Sequence, residues 1–82
     1  AIQDAYLGAR SGFTAAQQAA DLAARELTRA ERLHAAGALA DRDLENARRA
    51  DLGARSMLDD ARARLSQAEK SRDAANVLAP YD

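Results

Sequence analysis

The chain has no cysteine and no tryptophan, and it carries a single phenylalanine, two tyrosines and one proline. The absence of cysteine is compatible with any compartment and leaves no disulfide to staple a small fold. The scarcity of large side chains means that 82 residues would build only a thin globular core. No run approaches the roughly 18 apolar residues of a membrane-spanning helix, and no signal-peptide pattern is present. Net charge is −1, with acids and bases interspersed. Nucleic-acid binding would need a clustered basic face, and none is visible. No nucleophile–base set and no phosphate loop is present, so the sequence does not read as an enzyme. His34 is the one histidine, and no acidic cluster of ligand spacing accompanies it, so neither a metal nor another cofactor is expected.

What the chain does have is alanine at regular spacing. Ile2, Tyr6, Ala9, Phe13, Ala16, Ala20, Ala23, Leu27, Ala30 and His34 alternate intervals of four and three. Leu44, Ala47, Asp51, Ala54, Leu58, Ala61, Leu65, Ala68, Arg72 and Ala75 do the same. This is a heptad seam on each of two arms. In the second arm the larger residues mostly take one seam position and alanine the other. The small residues allow close backbone approach, so a long two-helix coil suits the chain better than a globule. Length then substitutes for depth. Arms of 30-odd residues would reach roughly 50 Å at about 1.5 Å per residue.

Between the arms lies Ala36-Gly37-Ala38-Leu39-Ala40. Gly37 suits the left-handed position just past a helix end. Asp41 and Asp43 suit the start of the next helix, and Asp41 can cap it. The expectation is therefore an all-α, long antiparallel two-helix coiled-coil hairpin. Its helices should span about 3–36 and 41–75, with a turn at 37–40. Cysteines at Ala20 and Leu58 should cross-link within one molecule.

Some features leave alternatives. Gly8 and Gly12 each cost about 1 kcal/mol relative to alanine. Thr14 followed by Gln17 resembles a capping box that could start the helix later. The seam through Tyr6 and Ile2 favours the earlier start. Asp51 and Arg72 are polar seam residues that could set register, although a two-stranded seam is half exposed in any case. Asp21–Arg25, Glu45–Arg49, Asp51–Arg55 and Asp60–Arg64 can support their helices as i,i+4 pairs. Leu39 could pack on its own hairpin or meet a partner. After Ala75 the periodicity stops, and Pro80 disfavours helix at Ala79. Residues 77–82 thus read as an exit into an extended segment. The chain begins and ends in mid-pattern and reads as a piece of a longer one. A piece of this size should be marginally stable or associate weakly side by side.

The run from Arg29 to Ala47 resembles the hairpin tip of periplasmic adaptor proteins, also called membrane fusion proteins. Val77-Leu78-Ala79-Pro80-Tyr81-Asp82 is similar to the segment by which such chains re-enter a lipoyl-like β domain. The resemblance implies a tripartite efflux or secretion system in a Gram-negative envelope. The full-length protein would be periplasmic and associated with the inner membrane. It would form a homo-oligomer that links an inner-membrane transporter to an outer-membrane channel protein. Many members carry at the tip an arginine, a leucine four residues on and a serine seven further. Arg29 and Leu33 match the first two; Ala40 stands where the serine would be. The implied partner-binding residues are Arg29, Leu33, Gly37, Leu39, Ala40 and Asp41. Two other readings remain at this level. A helical segment of an outer-membrane channel is opposed by the Ala-Pro-Tyr-Asp ending. A generic coiled-coil spacer or dimerisation rod is opposed by the glycine turn between matched arms.

Overall fold

A computed structural model describes residues 2–78, and side chains through Ala75. Two helices fill it: α1, Ile2–Ala35, and α2, Asp41–Leu78. They fold back on each other as an antiparallel hairpin measuring 70 × 15 × 13 Å. The all-α coiled-coil hairpin expected from the heptad spacing is the fold observed.

The seams form the interface. Every seam residue but Ile2 is buried or half-buried, and the only other described side chain so shielded is Leu39. Among the described residues, Ala20, Ala30, Leu44 and Asp51 are buried outright. Alanine at this many contact positions keeps the stripe narrow, so most of each helix faces water. Stability must then accumulate along the length rather than in one dense core.

Cross-helix contacts set the register. The Arg72 guanidinium lies 4.0 Å from the centre of the Tyr6 ring, and that of Arg62 lies 5.9 Å from Phe13. Near the turn, His34 meets Asp41 at 2.6 Å. Both aromatics of α1 thus work as platforms for arginines of α2, an attraction worth about 0.5–1 kcal/mol at exposed sites. Arg72 is polar on the seam because its planar head covers a ring. Extending the same register places Ala20 level with Leu58, and Asp51 opposite the turn from Ala23 to Leu27.

α1 begins before Thr14, as the seam required. The Thr14 hydroxyl donates to the Arg10 carbonyl at 3.2 Å, back-bonding within the helix instead of capping a new one. α2 runs three residues beyond the expected Ala75, so Val77 and Leu78 are helical rather than extended. Loss of apolar periodicity removes a reason to pack but does not break a helix. The proline constraint does, and it first acts at Ala79. The rest of the expected exit, Ala79-Pro80-Tyr81-Asp82, lies outside the described residues.

The anticipated i,i+4 pairs are only partly made. Asp51 and Arg55 pair. Glu45 takes Arg48 at 2.9 Å, three residues on, instead of Arg49. No bond joins Asp21 to Arg25 or Asp60 to Arg64 among the described residues. Exposed pairs gain little over hydration and cost side-chain entropy, so geometry decides which close.

Candidate docking tip

The turn is built from its backbone outward. Gly37 has φ of 77°, the left-handed region that a side chain disfavours. The Ala38 amide donates to the Leu33 carbonyl at 2.8 Å, and the Gly37 amide to His34 at 3.0 Å. These two bonds are the Schellman pattern that ties off a helix C-terminus.

α2 starts at Asp41, as expected, but its cap lies one residue earlier than the acids suggest. The Ala40 carbonyl accepts from the amides of Asp43 at 3.1 Å and Leu44 at 3.2 Å. Ala40 is therefore the N-cap, and Asp41 is the first helical residue. This corrects the expectation that Asp41 caps the helix. A carboxylate one residue too late cannot reach the amides an N-cap side chain serves. The Asp41 carboxylate turns instead to His34 Nε2 across the turn. The methyl of Ala40 offers no acceptor, so the cap lacks a side-chain contribution.

Leu39 and Leu44 occupy the positions before the N-cap and in the first full turn, where a hydrophobic staple forms. Leu39 is half-buried and Leu44 is 6% exposed. Leu39 thus finds shelter within its own hairpin, as a residue in that position would. Leu33 is the open apolar side chain of the tip, 37% exposed. Arg29, one turn below it on the same face, is exposed and makes no bond or ion pair among the described residues. The tip thus presents Leu33 and Arg29 outward, while Gly37, Leu39, Ala40 and Asp41 shape and close the turn.

One contact at this end had readable components but no readable pairing. The shielded positions of Leu39 and Leu44 either side of Ala40 were legible once the cap was placed correctly. The His34–Asp41 contact needs the closed turn to bring seven residues' separation to hydrogen-bond range. Among the described residues, no three His, Asp or Glu side chains are grouped to hold a metal, and no helix is long and apolar enough to cross a membrane. Comparison with family models, curated proteins and solved structures found no match to this chain.

Proposed function

We propose that this hairpin is the rigid arm of a periplasmic adaptor and that its tip docks onto an outer-membrane channel, linking it to an inner-membrane transporter. The observation that carries the reading is the tip itself. Leu33, with Arg29 one helical turn below, faces outward at the end of a rod 70 Å long. This is the arrangement that the resemblance of the Arg29–Ala47 run implies. A narrow helical tip can enter the groove between other helix ends. Leu33 supplies apolar area there, and Arg29 can bind carbonyls or a carboxylate.

The test uses the full-length protein in cells that depend on its transport. Truncating a buried interface anchor typically costs about 2 kcal/mol or more. Leu33→Asp should abolish export while leaving the helix content of the hairpin unchanged. Arg29→Ala should weaken docking less, because a rim charge stays partly solvated. Full export by the Leu33→Asp, Arg29→Ala double variant at normal expression would remove the tip as the docking surface.

A further inference from the structure

We infer that Asp51 confines the seam to a single chain: it keeps two copies from opening their seams into one shared four-helix core. The α2 seam carries Leu44, Leu58 and Leu65 on one stripe at heptad spacing, and Asp51 fills the gap among them. Arg72 ends the same stripe, and the other seam position of α2 is alanine at 47, 54, 61, 68 and 75. With a leucine at 51 the stripe would run unbroken through four successive repeats. An unbroken apolar seam joins any helix of like pattern, from its own chain or from another.

The closed hairpin draws nothing from the carboxylate that explains its place. Asp51 is 2% exposed. Its one bond among the described residues is to Arg55, four residues on in the same helix. A partner on α1 would make Asp51 a clamp on the register. A partner on its own helix travels with it, so Asp51 does not choose how α1 and α2 align. A buried charge of this kind lowers stability, and its contribution lies in the arrangement it forbids.

Symmetry identifies that arrangement. Within the hairpin the helices are antiparallel, so Asp51 faces the turn from Ala23 to Leu27 and never its own counterpart. Two copies with both tips pointing the same way are related by a two-fold axis along the rod. Such an axis sets every residue level with its own counterpart. A common core would then hold both copies of Asp51 in one layer and both copies of Arg72 in another. Like charges brought together out of water are disfavoured. In the single hairpin Arg72 instead covers the Tyr6 ring at 4.0 Å. Closed hairpins standing side by side keep their seams apart and escape this repulsion, so the inference holds whether or not the tip docks onto a channel.

Ala54→Cys reports on the shared core. Ala54 is half-buried on the α2 seam, so a closed hairpin holds it between its helices, whereas a common core sets the two copies of position 54 level. Chains carrying this substitution are unfolded, refolded at rising concentration and oxidised. With Asp51 in place the product should be monomer. Asp51→Leu should raise the fraction of disulfide dimer at least tenfold at equal concentration. Asp51→Asn removes the charge and keeps the shape, and it should also raise the dimer fraction, because amides are accepted across a parallel seam. Asp51→Leu, Leu58→Asp moves the carboxylate one repeat along the stripe, where Arg62 stands four residues on, and should restore the monomer. Circular dichroism on each variant verifies that the helices form. Four results overturn the inference: disulfide dimer already abundant with Asp51 present, no rise with Asp51→Leu, no rise with Asp51→Asn, or a relocated carboxylate that leaves as much dimer as Asp51→Leu.

Discussion

The most buried of the described side chains is a carboxylate. Asp51 is 2% exposed, and its partner Arg55 extends from the same helix into water, its side chain 63% exposed. It occupies the stripe of α2 that holds Leu44, Leu58 and Leu65 elsewhere. The half-exposed environment expected for a two-stranded seam does not apply here: Asp51 is more shielded than Leu44, Leu58 or Leu65 on the same stripe. The two partners are therefore unequal. Arg55→Ala strands a buried carboxylate and should cost about 1–3 kcal/mol. Asp51→Leu removes the buried charge and leaves a solvated arginine. It should be neutral or stabilising by about 1 kcal/mol or more. Urea denaturation of the two variants checks the asymmetry; equal destabilisation would contradict it. Ala40 gives a second residue-scale prediction. A hydroxyl at an N-cap adds about 0.5–2 kcal/mol, so Ala40→Ser should raise the denaturation midpoint. If the midpoint does not move, Ala40 is not the cap in solution.

At the scale of elements, periodicity carried most of the information. Intervals of three and four located both seams, and the shielded residues coincide with them except that Ile2, at the open end, is exposed and Leu39, in the turn, is shielded. The glycine located the turn. What periodicity could not supply was pairing between arms. The stacking of Arg72 on Tyr6, of Arg62 on Phe13 and the His34–Asp41 contact all depend on register. Register follows from the turn's closed geometry rather than from either arm alone. The cap was misplaced by one residue for a related reason. Acids are favoured anywhere in a first turn, so Asp41 and Asp43 mark a helix start without fixing its first residue. At the candidate site, Arg29 and Leu33 were legible from resemblance. The inward role of Leu39 became visible only with Ala40 as the cap. The register itself is open to test. Cysteines replacing Ala20 and Leu58 should form an intramolecular disulfide readily under mild oxidation. Cross-linking of Ala20 to Ala47 in the monomer, with none to Leu58, would mean a different pairing.

At the scale of the molecule, the hairpin is a rod whose length is set by heptads, and that makes its reach adjustable in discrete steps. Removing seven residues from both arms at the same height, 16–22 and 55–61, deletes one complete repeat from each. The seam on either side rejoins in phase, and the Tyr6–Arg72 and His34–Asp41 contacts are untouched. The rod should shorten by about 10 Å, at 1.5 Å per residue, and keep its fractional helix content. Removing the segment from α1 alone instead slides everything beyond it by one repeat. Tyr6 then loses Arg72 and meets Leu65, Phe13 moves away from Arg62, and the end of α2 loses its partner. Small hairpins have little stability to spare, so the one-arm deletion should lower the melting temperature by much more than the matched one. A 1 kcal/mol loss already shifts it by roughly 4–8 °C in a domain of this size. Circular dichroism melts of the two deletions decide between a register-defined rod and two loosely associated helices. Loosely associated helices would tolerate the one-arm deletion as well as the matched one. In the full-length protein the matched deletion adds a test of the proposed bridging role. A folded arm about 10 Å too short should fail to connect transporter and channel, whereas an arm serving only as a local spacer should retain transport.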